Sequence, residues 1–329
     1  MTSWLENKKL LVTGGAGAFG KRFLRSALAA HCARVTVFSR DEMKHAELKR
    51  ELGPLAKEVE FRIGDVLDPD ALRWAIHRSD LVVHAAAMKH LPECEANPEA
   101  STRVNVVGTR NVTGAFLRSS AEALVFLSTD KAPYASSVYG AQKYLGEKLI
   151  GEVAALAEAG RRAFSLRYSN VMDSTGSVFH VFRRLLLDGQ TANVNGAQTS
   201  RGFVTQAEVI RAVESGLALL RGGEVLVLPP RVVRIGELAE AMRKLLGKGR
   251  VNVVETPGFV GEKESATLVM GEERAVAREI SELPGAIMLD FLARHPEHPR
   301  SALPAGGLTL ENCPPLAGAE LESFLAQLL

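Results

Sequence analysis

Residues 128–143 read STDKAPYASSVYGAQK, with Asp130 beside Lys131 and Tyr139 four residues before Lys143. Ser128 and Thr129 add two hydroxyls just upstream. A carboxyl, two amines and a phenol in so short a span suggest a proton-transfer site. On a helix, the i, i+4 spacing puts Tyr139 and Lys143 on one face, where the ammonium can lower the pKa of the phenol. A free tyrosine, with a pKa of about 10, is a poor base at neutral pH, so the neighbouring cation is what makes it useful. The plainer alternative for the Thr-Asp-Lys triplet is a helix N-cap followed by a solvated lysine.

Side chains of this kind need a frame. Short apolar runs at 9–13, 34–38, 59–63, 80–84, 123–127 and 163–167 alternate with helix-like stretches. Continuous apolar strands separated by helices indicate a parallel sheet covered on both faces. Six such units predict an α/β fold with a doubly wound, Rossmann-type sheet. After residue 170 the rhythm loosens into a turn-rich piece at 188–202, a helix at 206–221, a strand at 224–228 and a helix at 235–247. The expected division is a dinucleotide-binding domain over 1–169, with elements near 203–236 returning to it, and a smaller interleaved substrate lobe over 170–329. The Pro- and Gly-rich stretch 284–316 reads as loop.

The first strand runs into TGGAGAFG at 13–20, where Gly14, Gly17 and Gly20 alternate with pairs of other residues and Ala18 and Phe19 open a helix. Glycines here permit a tight turn, close approach of backbone to a pyrophosphate and close helix–strand packing, and the helix N-terminus favours the anion. The second strand ends in FSRDEMK. Ser39 and Arg40 at its tip, with Lys44 a turn later, could hold a 2′-phosphate, which favours NADP over NAD. Asp41 and Glu42 pull the other way. Asp65 and Val66, after the third strand, resemble an adenine-contacting pair. Ala85, Ala86 and Ala87 supply small residues where backbone must pass close to the cofactor.

The motifs HAAAMKHLP, NVVGTRNV, STDKA, YGAQK, GSV and GEK, in that order, resemble the inverting UDP-N-acetylglucosamine 4,6-dehydratases of bacterial polysaccharide biosynthesis. These are extended short-chain dehydrogenase/reductases, and the resemblance is good over about residues 8–185. It implies hydride transfer from sugar C4 to NADP, loss of the C5 proton and the 6-hydroxyl, and return of the hydride to C6. By the same resemblance Tyr139 is the base at the 4-hydroxyl, Lys143 its activator, Asp130 the acid and Lys131 the C5 base, with Ser128 or Thr129 giving a hydroxyl. Such a lysine base needs its pKa depressed, and such an acid must retain its proton. Lys89 matches a sugar or cofactor contact, and Asn105 a residue at the cofactor site that orders the helix beside the tyrosine. Asn170, Arg201, Glu262 and Lys263 match contacts to the nucleotide.

Some positions depart from the family pattern: PYASSV stands where Asn-Pro is usual, RYSNVMDSTGSVFH lacks an Arg and a Gly, and no basic residue precedes GEK. Retaining 4,6-dehydratases carry Asp-Glu at the place of Asp130-Lys131, and simple 4-epimerases carry neither. The rival readings are an epimerase or reductase on a nucleotide sugar, and a non-enzymatic NADP-sensing protein. Helices over 97–119 and 137–158 resemble those through which the superfamily pairs, so at least a homodimer is expected.

Composition narrows the remaining classes. A net charge of +2 over 329 residues argues against a general nucleic-acid or membrane binder. No apolar run reaches the ~18–20 residues of a membrane span. Cys32, Cys94 and Cys313 are odd in number and lack a CxxC spacing, which fits free thiols in a reducing cytoplasm better than disulfides or zinc. No metal site is expected.

Overall fold

The computed structural model describes residues 4–174, 177–254 and 265–329. Its frame is a nine-stranded sheet whose first six strands are β1 (Lys9–Thr13), β2 (Arg34–Ser39), β3 (Val59–Ile63), β4 (Leu81–His84), β5 (Ala123–Leu127) and β6 (Arg162–Arg167). These lie in the order β6-β5-β4-β1-β2-β3, all parallel. β4 and β5 are buried at every position, as strands covered on both faces must be. On one face Phe23, Leu24, Val209 and Val213 pack against the sheet, and on the other Ile76, Val112, Phe116 and Ile150 do so. The strand order reverses between β1 and β4. In open α/β sheets that reversal opens a crevice at the carboxyl ends of the strands.

Beyond β6, Val225–Val227 pairs in parallel with it, and Ile287–Leu289 and Ala277–Glu279 extend that edge antiparallel. A second group of elements packs around Phe179, Phe182, Phe203 and Met242, on helices Val178–Leu187, Ile235–Leu246 and Gly318–Ala326 and strand Ser200–Val204. None of the described helices is long and apolar enough to cross a membrane.

Two sequence expectations need correction. The stretch 284–316 is not simply loop: Ile287–Leu289 joins the central sheet and Gly307–Thr309 pairs with Thr267–Met270. The apolar triplet Ile-Met-Leu is buried by that pairing, which outweighs the Pro and Gly around it. The helix expected over 97–119 is broken into Pro98–Thr102, a π-helical turn Arg103–Val107, and Gly108–Leu117. The wide turn lets the Asn105 side chain reach inward, and Gly108 follows because a Cβ there would stand 2.7 Å from Val66 Cγ2.

Candidate active site

A cleft of about 840 Å³ lies at the carboxyl ends of the parallel strands. Gly14, Gly17, Ala18 and Phe19 border it after β1, and Ser39, Arg40 and Lys44 after β2. Asp65 and Val66 follow from β3, and Ala85, Ala86, Ala87 and Lys89 from β4. Ser128, Thr129, Lys131, Tyr139 and Lys143 border the same cleft, as do Asn170 and Arg201. Glu262 and Lys263 lie outside the described residues.

The glycine turn is built for close approach. Gly14 has φ +67°, and a Cβ on it would come within 2.7 Å of the Ala86 backbone. Helix Ala18–Ala29 has Gly17 as its N-cap with no side chain capping its first amides. Bare amides at the mouth of a cleft suit a pyrophosphate. Gly20 was expected to touch the cofactor. It faces inward instead, where a Cβ would collide with Gly15 O at 2.1 Å, so its part is helix–strand packing.

At the β2 tip, Ser39 Oγ is hydrogen-bonded to His45 Nε2 at 2.6 Å. Arg40 is exposed, with Asp65 Oδ2 at 3.7 Å, and Lys44 pairs with Asp41 at 3.3 Å. Both Arg40 and Lys44 thus stand at the rim, each partly countered by a carboxylate. Lys89 is exposed by surface area, yet enough protein surrounds its ammonium for burial to hold it below the ordinary lysine range.

A buried chain of hydrogen bonds fixes the alanine wall. Thr109 Oγ1 donates to Asn105 O, so it accepts from His84 Nε2 at 3.1 Å. His84 Nδ1 then accepts from Thr13 Oγ1 at 2.7 Å, and Thr13 Oγ1 accepts from Ala86 N. This polarity needs a neutral imidazole, and burial accordingly pushes His84 down to about 3.

The helix Val138–Leu156 carries the tyrosine and starts where Ser137 Oγ accepts from Gly140 N. Gly140 sits where a Cβ would be 2.3 Å from Lys131 O, so its lack of a side chain lets the Asp130-Lys131 strand exit press against the helix. Asp130 is 1% exposed and accepts from Lys131 Nζ at 3.0 Å and from Thr129 Oγ1 at 3.1 Å. Asn170 Oδ1 lies 3.5 Å from the same ammonium. The N-cap-and-solvated-lysine alternative does not hold, since Lys131 is turned onto a buried carboxylate at the cleft.

Three expectations change here. Lys143 Nζ donates to Leu127 O at 2.7 Å and lies 4.4 Å from the Phe126 ring centroid, and burial lowers it to about 7. Burial, followed by Tyr168 and Asp130 nearby, raises the Tyr139 phenol above its ordinary value instead of lowering it. With Lys143 turned onto Leu127 O, desolvation sets the direction at Tyr139. Ser128, expected to serve cofactor or chemistry directly, donates its hydroxyl to Glu147 Oε1 at 2.6 Å. Asn105, expected at the cofactor, does not reach the cleft: its amide pairs with both backbone groups of Met88 at 2.8 Å and donates to Gln142 Oε1 at 2.7 Å. It is a brace between the loop after β4 and the tyrosine helix.

Sequence reasoning passed over a buried ion cluster. Arg167 makes paired contacts to Glu147, with Nη2–Oε2 at 2.6 Å, and to Glu273, with Nη1–Oε2 at 2.8 Å. Its guanidinium is fully buried and also donates to Leu268 O. Glu147 lies one further i+4 step along the stripe of Tyr139 and Lys143, a spacing that could have singled it out. Tyr168 and Gln206, also passed over, border the cleft and are bulky and polar.

Fold and cleft together define a Rossmann-type protein of the extended short-chain dehydrogenase/reductase architecture. The chain matches the polysaccharide biosynthesis protein family over residues 10–286 and belongs to that family. It is 34% identical to an uncharacterised membrane protein of Methanocaldococcus jannaschii over 74% of this chain and 72% of that protein. It is 32% identical to the UDP-glucose 4-epimerase of Rickettsia canadensis, over 84% of this chain and 82% of that one. Among solved structures, Pen from Bacillus thuringiensis superimposes with a TM-score of 0.88 at 28% identity, covering 99% of each chain. The Thermus thermophilus UDP-glucose 4-epimerase in complex with NAD gives 0.65 at 25% identity, covering 77% of this chain and 88% of that one.

Proposed function

We propose that the protein is an NADP-dependent nucleotide-sugar 4,6-dehydratase acting on UDP-N-acetylglucosamine. The observation that carries this reading is the Asp130–Lys131 pair at 3.0 Å, in which Lys131 borders the cleft that Tyr139 and Lys143 also line and Asp130 is buried directly behind it. Proton arithmetic favours it. A carboxylate–ammonium pair and a carboxylic acid–amine pair differ only by one proton moved from Nζ to Oδ1. In the second form Lys131 can take the C5 proton of a 4-keto sugar while Asp130 gives its own to the departing 6-hydroxyl. That leaves the carboxylate and ammonium, and one transfer between neighbours restores the acid and the base without help from solvent. C5 must regain a proton when hydride reaches C6, and the 4-hydroxyl proton held by Tyr139 can supply it, so that one water and a 4-keto-6-deoxy sugar account for every atom.

NADP, held at the Gly14–Gly17 turn with Arg40 toward its 2′-phosphate, would accept hydride from C4 and return it to C6. The bare amides after Gly17 and the steric limit at Gly14 suit such a ligand. Tyr139 takes the 4-hydroxyl proton, Asn170 and Arg201 face the nucleotide, and Lys89 faces the sugar. For the buried phenol to ionise, Lys143 must exchange Leu127 O for a place beside it. The three cysteines work as thiols, in keeping with a reducing cytoplasm.

A second reading, a 4-epimerase, draws support from the Rickettsia relative's name. It would use Tyr139 and Lys143 without elimination and would leave Lys131 idle. Incubation with a panel of nucleotide sugars, followed by mass spectrometry, decides between them. Loss of one water supports dehydration, and unchanged mass with altered retention supports epimerisation.

A further inference from the structure

At the end of the sheet opposite the cleft, the turn HPEH at 295–298 gathers His295, Glu297 and His298, each offering a ligand atom within 4.8 Å of the others. We propose that these three residues form a site for a divalent transition ion of the zinc class.

His295 is oriented as metal-binding histidines are. Its ring is 2% exposed, and its Nε2 lies 2.7 Å from Oε1 of Glu224, a carboxylate itself buried at 1%. Glu224 also accepts from the backbone amides of Arg221 and Gly222, at 2.8 Å and 2.7 Å, which fix it as a charged acceptor. Nε2 is therefore the donor, and the Nδ1 lone pair is turned toward Glu297 Oε1 at 3.7 Å. A carboxylate behind the imidazole fixes its tautomer and raises its basicity as a ligand. A tetrahedral ion with bonds of about 2.0–2.2 Å holds its ligands roughly 3.3–3.6 Å apart, so the His295–Glu297 separation is close to what is needed.

The backbone of the turn is fixed as well. Asp290, paired with Arg278 at 3.1 Å, accepts from the amides of Arg294 at 2.8 Å and His295 at 3.0 Å. His298 N donates to His295 O, which folds its imidazole back toward the first, with ring centroids 5.6 Å apart. Glu297 is half-exposed and pairs with Arg221, whose own half-exposed side chain can swing away into solvent. Two imidazoles and one carboxylate select zinc, cobalt, nickel or copper over magnesium or calcium. The ion would clamp the turn to the amino end of Val225–Val227, remote from the reacting groups. Its occupancy is thus independent of the catalytic reading.

The test is calorimetric titration of the chelator-treated, full-length protein with Zn²⁺, and with Mg²⁺ for comparison, alongside thermal melts. The expected result is one equivalent of Zn²⁺ bound, a raised melting temperature and at least a hundredfold weaker response to Mg²⁺. His298→Ala and Glu297→Gln alter a surface turn and should fold as the parent does, yet each should lose at least tenfold in affinity. Glu224→Gln should weaken binding about 10–100-fold through the imidazole it orients. Absence of stoichiometric binding, or binding undiminished in His298→Ala and Glu297→Gln, overturns the site and leaves an imidazole bridging two carboxylates.

Discussion

Lys131 and Lys143 are the same residue type a few positions apart, yet their surroundings ask different things of them. Lys131 keeps 27% of its side chain exposed and rests on a buried carboxylate. Lys143 is 4% exposed against a carbonyl and a ring face. Under the dehydratase reading, Lys131→Ala removes the C5 base, and losing a positioned base costs about 10²–10⁴ in rate. Turnover should stall after oxidation, with reduced-nicotinamide absorbance accumulating and C5 hydrogen exchanging only slowly into deuterated solvent. Tyr139→Phe should give neither signal, since C4 oxidation never begins. Full dehydration by the Lys131 variant would sink this division of labour. With Ser39 engaged by His45, Arg40 and Lys44 at the rim are left to support NADP selectivity, Arg40 with the planar fork that suits a phosphate. A charge-assisted contact of about 1.5–3 kcal/mol implies at least a tenfold preference for NADP, reduced in Arg40→Ala. Equal titration of both dinucleotides by the parent protein would dismiss it.

At the level of elements, the Glu147–Arg167–Glu273 cluster ties the tyrosine helix to β6 and to the 3₁₀ turn Glu272–Val276. Ser128 hangs from the same carboxylate, so the catalytic strand exit is positioned from its far side. Removing one partner of a buried ion pair leaves the other charge stranded and costs about 3–5 kcal/mol. In either variant Arg167 keeps the other carboxylate and Leu268 O, so each should lose less than that in a urea titration, Glu147→Ala more than Glu273→Ala because it also leaves the buried Ser128 hydroxyl without its acceptor. Equal stability of all three proteins would show the cluster to be idle. Such couplings were invisible in the chain because the partners stand 20 and 106 residues apart and a charged residue on a helix reads as solvated face. The strands and the YxxxK helix were legible because their signals are local: β1, β3 and β5 lie where the apolar runs placed them. Asn105 braces the tyrosine helix as its motif implies, but away from the cleft. Its motif was recognisable, but only the π-turn decides that its amide braces Met88 and Gln142 instead of reaching the cleft.

Across the whole molecule, Leu145 and Leu156 on helix Val138–Leu156 remain 45% and 65% exposed. Paired helices would cover them in the homodimer expected from the sequence, and a monomer mass in light scattering at micromolar concentration would remove that expectation. The frame also sets how stability follows pH, through two groups buried without charge. His84 stays neutral in the fold down to about pH 3, against an ordinary value of 6.5. Between those values the unfolded chain binds more protons, so stability falls as pH falls through that window. The loss from pH 6.5 to pH 5 should be about 2 kcal/mol, at 1.36 kcal/mol per unit. His45, also lowered by burial, acts in the same direction. Lys143, at about 7 in the fold against 10.5 unfolded, extends the trend upward: the unfolded chain again binds more protons, and stability climbs as pH rises from 7 toward 10.5. Glu147 offsets only part of that burial penalty. Melting temperature should therefore rise with pH from 5 toward 9.0, the ordinary thiol value, above which Cys32, Cys94 and Cys313, raised by burial, oppose the trend. His84→Asn should flatten the acid side, and Lys143→Met the alkaline side, even though each variant also shifts the curve as a whole. An unchanged slope in both variants would mean that neither group carries its proton deficit into folding.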